Sequence, residues 1–160
     1  MKIRTATLSD LSNIMEVGSV CFSPEEAATE KEYEERLKVY PEHFWILEEN
    51  GELIGFINGM VTNEPRIRDE MFKSAYLHRE DGAWQAIFGV NTVPKHRNRG
   101  YAAKIMEQVI ADAKKQGRRG CILTCKEELI HYYEKFGYKN EGISQSEIAG
   151  EVWYDMRLEF

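Results

Sequence analysis

The chain has 160 residues, of which 42% are hydrophobic and 30% charged, so it is long enough to bury a core and too apolar to be disordered. A formal net charge of -6 excludes broad nucleic-acid binding, which needs a basic surface, and is compatible with a cationic small partner. No apolar run reaches bilayer length, and the Met1-Lys2-Ile3-Arg4 start lacks a signal-peptide stretch, so a cytoplasmic protein without membrane contact is expected. The three cysteines, Cys21, Cys121 and Cys125, lack a disulfide or zinc-knuckle pattern and read as reduced thiols, with no metal expected.

In chain order, residues 2–6 predict a strand, and Thr7-Leu8-Ser9-Asp10 a capping box for a helix reaching about Ser19. Pro24 ends that helical stretch, and a second, acidic helix is predicted over 26–39. Residues 44–47 and 53–60 form a predicted hairpin around Asn50-Gly51, the favoured pair for a type I′ turn. Residues 63–82 read as an insertion with a helical patch over 68–77, a candidate substrate loop. Residues 84–93 read as one central strand buried on both faces.

An amphipathic helix follows, with Ile105, Met106, Val109, Ile110 and Ala113 on one face and Gly117 at its end. A strand over 121–124, a helical segment over 127–136 stopped by Gly137, and two closing strands, read as an antiparallel pair, complete the series. No repeat or linker interrupts it. A single mixed α/β domain over 1–160 is expected, and an exposed sheet edge would permit a homodimer.

The most informative stretch runs from Val90, Asn91 and Thr92 through Arg97, Asn98, Arg99, Gly100, Tyr101, Ala102 and Ala103. A strand ends, a basic turn follows and a helix begins. Main-chain N–H groups converge at such a junction and the helix dipole adds positive potential. Gly100 lacks a Cβ and the two alanines are small, so a diphosphate could approach closely. There is neither a Gly-Lys-Ser/Thr P-loop nor three spaced glycines. The alternative is a plain basic surface turn.

Arg97-Asn98-Arg99-Gly100-Tyr101-Ala102 resembles the Gln/Arg-x-x-Gly-x-Gly/Ala signature of the GNAT N-acetyltransferases. Tyr132-Tyr133-Glu134-Lys135-Phe136-Gly137-Tyr138 resembles their second signature, at the expected separation. Leu77-His78-Arg79, residues 123–129 and Cys21-Phe22 with the acids after it are similar to the arylalkylamine N-acetyltransferase branch. The resemblance implies acetyl-CoA as co-substrate, held where the strands over 84–93 and 121–124 splay apart. Main-chain groups of Val90, Asn91 and Thr92 would pair with its pantetheine arm, and the turn over 98–103 would hold its diphosphate. It also implies a primary amine acceptor and Tyr133 as general acid, with Tyr132 as packing.

One departure matters. Where the vertebrate enzymes of that branch carry two histidines, this chain has Ala86 and Phe88, so a proton acceptor must come from elsewhere. Glu25 and Glu26 lie where insect relatives place a catalytic glutamate, and burial beside Phe22 would raise such a carboxylate's pKa; solvated glutamates starting a helix are the alternative. Lys126 stands where many relatives have an asparagine touching pantetheine. His43 has no evident partner, and His78 falls in the substrate loop. A polyamine or protein N-terminus as acceptor, or a CoA-binding module without catalysis, are the other readings.

Overall fold

A computed structural model describes residues 1–160. β1 (Lys2–Thr5), β2 (Phe44–Glu49), β3 (Glu52–Asn58) and β6 (Gly89–Thr92) form one antiparallel sheet in the order β1-β2-β3-β6. β4 (Val61–Thr62), β5 (Trp84–Ile87), β7 (Gly120–Cys125), β9 (Tyr154–Glu159) and β8 (Lys139–Ile143) form a second, ordered β4-β5-β7-β9-β8. Within it β5 and β7 run parallel while the other neighbours are antiparallel. The mixed α/β architecture expected from the sequence is present.

α1 (Leu11–Cys21) and α2 (Glu30–Val39) cover one face; α4 (Tyr101–Lys115) and the short α5 (Ile130–Glu134) cover the other. The period-2 alternation of β2 serves both layers: Phe44 and Ile46 pack on the α1–α2 side, Trp45 and Leu47 on the α4 side. The insertion carries α3 (Asp69–Lys73), anchored by buried Ile67, Met71 and Ala75. Asn50 and Gly51 have φ of 52° and 77°, both left-handed, as the hairpin turn requires.

Two expectations need correction. The second helix starts at Glu30, not at residue 26, because Thr29 and Glu32 close a reciprocal box: the Thr29 hydroxyl accepts from Glu32 N–H at 3.1 Å and the Glu32 carboxylate from Thr29 N–H at 2.8 Å. Glu25 and Glu26 therefore sit in a turn, where the Glu26 and Ala27 amides both donate to Ser23 O.

The run over 84–93 is two strands in two sheets, not one. β5 pairs with β7 through Ile87↔Leu123, whereas β6 leaves and pairs with β3. Register places Gly89 opposite Asn58, and Phe88 N–H also donates to Asn58 O at 2.7 Å. Two residues thus face one, a β-bulge that bends the strand away from β7.

The sheets can switch partners here because Gly59, between β3 and β4, has no side chain: a Cβ would collide with the Ala86 carbonyl. Gly59→Ala should cost about 1–3 kcal/mol of stability, the range for forced overpacking. Urea unfolding would show this as a lower midpoint at unchanged slope; a wild-type midpoint would contradict the close approach.

Candidate functional site

The divergence of β6 from β7 opens a cleft of about 800 Å³. Its lining comes from the α1–α2 turn, α2, α3, the β5–β6 bulge, the end of β7 and the segment from Glu147 to Trp153. Of the residues predicted for the site, Glu25, Glu26, Val90 and Tyr133 share this cleft. Asn91, Thr92 and residues 97–103 continue beyond it, along β6 and onto the start of α4.

The ladder decides which main-chain groups face the gap. Val93 N–H donates to Ile54 O at 2.8 Å, so by antiparallel alternation Asn91 directs its groups at Phe56. Val90 and Thr92 direct theirs away from β3. No strand lies on that side, since β6 is the outer member of its sheet. The Thr92 carbonyl is already taken, by Arg97 Nε at 3.2 Å and the Cys21 thiol at 3.3 Å. Of the three residues expected to meet a pantetheine arm, Asn91 thus offers no free main-chain group, and Val90 offers both.

Beyond Thr92 the chain makes a 3-10 turn over Pro94–His96 and enters α4 through Gly100, at φ 78°. The first helical bond runs from Lys104 N–H to Gly100 O at 3.2 Å, and none of the six N–H groups from residue 98 to 103 donates to anything in the chain. Asn98 and Gly100 are both left-handed, which turns successive N–H groups toward one point. With the α4 dipole and the exposed guanidinium of Arg99 beside them, these donors form an anion cradle. The residues present fit a diphosphate.

Across the cleft, α5 is held by the Gly137 turn (φ 104°) and presents Tyr133, which is 7% exposed. Its hydroxyl has no partner in the chain, and burial pushes its pKa well above the ordinary tyrosine value. It is a protonated phenol at any physiological pH, able to give a proton and not to serve as a base. Tyr132 packs edge-on against Tyr133 and Phe136, with centroids 5.1 and 5.4 Å away. The Cys125 thiol beside the cleft is pushed up to about 11 by burial, so it stays protonated.

Glu26 contradicts the expectation of a raised pKa. Its carboxylate accepts from Lys126 Nζ at 2.7 Å and from the Ser23 hydroxyl at 3.0 Å, and the Lys126 bond is the largest influence holding it below the usual carboxylate range. Lys126, also 5.6 Å from the Trp153 ring, is thus engaged across the cleft. Glu25 is exposed at the cleft wall.

Two of the four histidines, His43 and His78, serve the scaffold. His43 is buried and bridges Gln85 and Glu80, each at 2.9 Å. His78 Nδ1 accepts from Val61 N–H at 2.9 Å, which leaves Nε2 to donate to Glu80. Both pin the far end of the insertion. Sequence reasoning missed Arg36 and Asn58 in the cleft wall. The available signal was an arginine between Tyr33 and Leu37, on the stripe of α2 that faces the core.

The sequence profile of the acetyltransferase (GNAT) family matches residues 10–138. The chain belongs to that family. No protein of curated function matches the sequence. Among solved structures, this GNAT chain is similar to the loading GNATL domain of CurA from Lyngbya majuscula, at 16% identity and TM-score 0.85, over 99% of this chain and 96% of that one. It is also similar to Arabidopsis thaliana Naa50 in complex with a bisubstrate analogue, at 17% identity and TM-score 0.76, over 99% and 98%. The third is the ribosomal-protein-S18-alanine N-acetyltransferase from Escherichia coli, at 16% identity and TM-score 0.75, over 99% and 92%. At these identities the likeness is one of fold.

Two predictions follow from the geometry of this GNAT site. Gly100→Ala must hold an L-residue in the left-handed conformation that the free chain already adopts, at about 1–2 kcal/mol; urea unfolding should show a lower midpoint at unchanged slope, and a wild-type midpoint would contradict the left-handed turn. For Glu26, a pKa lowered in the folded state adds stability above the unfolded value of 4.5 that fades as pH falls through the folded value. Lys126→Gln should move the Glu26 titration seen by side-chain NMR back up toward 4.5; an unmoved midpoint would mean the pair is not formed in solution.

Proposed function

We propose that this chain transfers an acetyl group from acetyl-CoA to the primary amine of a small molecule, an arylalkylamine, by direct attack of the amine. The observation that carries the reading is the succession of three features: the Tyr133 hydroxyl and the open main chain of Val90 in the cleft, and beyond it, where β6 leads into α4, the six unpartnered N–H groups over 98–103. The acidic wall and the aromatic rings of Phe22, Phe72, Phe88 and Trp153 support a cationic acceptor with an apolar body.

The residues over 98–103 would grip the diphosphate, with Arg97 and Arg99 adding charge. The Val90 main chain would align the pantetheine arm, its N–H near the acyl carbonyl, where a fixed donor stabilises developing negative charge. Acetyl-CoA, when bound, supplies an acyl carbon activated as a thioester. Glu25 faces the cleft from the α1–α2 turn and would take the ammonium proton. Glu26, paired with Lys126, contributes negative potential instead of proton transfer. Tyr133 would give its phenolic proton to the departing sulfur and regain one from solvent.

The test is a thiol-release assay over a panel of amines. Tyr133→Phe should lower kcat by about 10- to 10⁴-fold while CoA affinity stays within about twofold. Because burial holds the Tyr133 pKa high, its titration should not cut the rate as pH rises to 10. Unchanged turnover in Tyr133→Phe removes it from the mechanism, and CoA binding without release from any amine leaves a CoA-binding module.

A further inference from the structure

Arg36 is 3% exposed, lines the inner wall of the cleft, and has no carboxylate partner. Its guanidinium offers five N–H bonds. Nη1 donates to the Asn58 side-chain oxygen at 3.1 Å, Nη2 donates to the Phe72 carbonyl at 2.8 Å, and Nε is buried with no acceptor. Both acceptors are neutral. The group packs against the rings of Phe88 and Tyr33, at 5.1 and 5.5 Å from their centroids.

A buried cation without a counter-charge is costly, and proteins ordinarily pair it. None of the six acids that line its cleft pairs with it, Glu25, Glu128 and Glu147 included, and the other three are bound elsewhere. Asp69 accepts from the Ser146 hydroxyl and Glu147 N–H, Glu26 from Lys126 and Ser23, and Glu32 from Thr29 N–H. Phe88 belongs to the bulge where the reacting groups would meet, so the unmatched charge sits at the reactive end and not at the diphosphate end.

We infer that Arg36 is a carboxylate-binding subsite: the ligand that fills the inner cleft brings a carboxylate, which a guanidinium fork receives in the geometry it prefers. The inference rests on the proposed acetyl transfer for the orientation of the cleft, and in its acceptor form it replaces the bare arylalkylamine by the carboxylated amine of the same side chain. Two ligands could bring the carboxylate: an acceptor with a carboxylate beside its amine, as in an α-amino acid, or an acyl donor with a second carboxylate on its acyl chain. In the first case the ammonium lies toward the acidic mouth and the carboxylate toward Arg36.

The experiment compares matched ligands on the wild-type protein and on Arg36→Met and Arg36→Lys. The acceptor arm measures kcat/KM for tyramine against tyrosine and tryptamine against tryptophan. The donor arm measures equilibrium binding of acetyl-CoA against malonyl-CoA and needs no turnover, so it reads Arg36 even if acetyl transfer proves wrong. In one arm the carboxylated member should be favoured at least tenfold by the wild type, and Arg36→Met should erase that preference. Arg36→Lys should keep part of it. The favoured arm identifies the source. If the wild type prefers the carboxylated ligand in neither arm, the inference is overturned and Arg36 is a brace; that comparison stands even if both variants fail to fold. A wild-type preference that survives in a folded Arg36→Met protein overturns it equally.

Discussion

The structure depends on one main-chain event: the strand that starts beside β7 at Trp84 changes partner at Phe88. Up to Ile87 it is a parallel neighbour of β7; from Gly89 it belongs to β3. The extra residue opposite Asn58 makes that change without leaving the Phe88 amide unpaired, because Phe88 N–H still reaches the Asn58 carbonyl. Everything chemical follows from the wedge this opens. It frees the Val90 main chain, aims the strand at the α4 entry, and leaves room for Tyr133 to look across from α5.

The wedge is also polarised, against the net charge of the molecule. A chain of formal charge -6 concentrates positive potential at one end of the cleft, from the α4 dipole, six open N–H groups and two arginines. The other end carries more acids than bases. A diphosphate and an ammonium approaching together would each meet the end that attracts it. Orientation is thus set by charge before shape is tested.

Much of this was legible along the chain. Asn50-Gly51 marked the hairpin, and residues 97–103 marked the turn from strand to helix because glycine, small residues and a helix start are local features. The bulge was not legible: Ala86, Ile87 and Phe88 are as apolar as a continuous strand would be, and only Gly89 hints at a bend. The start of α2 was missed because Glu26 and Thr29 both suit a helix start, and the choice lies in the bond between Thr29 and Glu32. The pKa direction at Glu26 was unreadable for another reason: its decisive partner, Lys126, lies 100 positions away in the chain and meets it only in the fold.

Asn58 joins the bulge to the buried guanidinium. Its main-chain oxygen receives the Phe88 N–H that holds the bulge, and its side-chain oxygen receives Arg36. Arg36 in turn reaches the Phe72 carbonyl in the insertion, and the Phe72 ring packs on Phe88 at 4.7 Å. α2, β3, the insertion and the bulge therefore meet around one guanidinium. A ligand drawn to that charge would press on the same residues that hold the wedge open. Recognition at the inner wall and the geometry of the reacting end are thus mechanically one structure, through contacts no longer than a hydrogen bond or a ring stack.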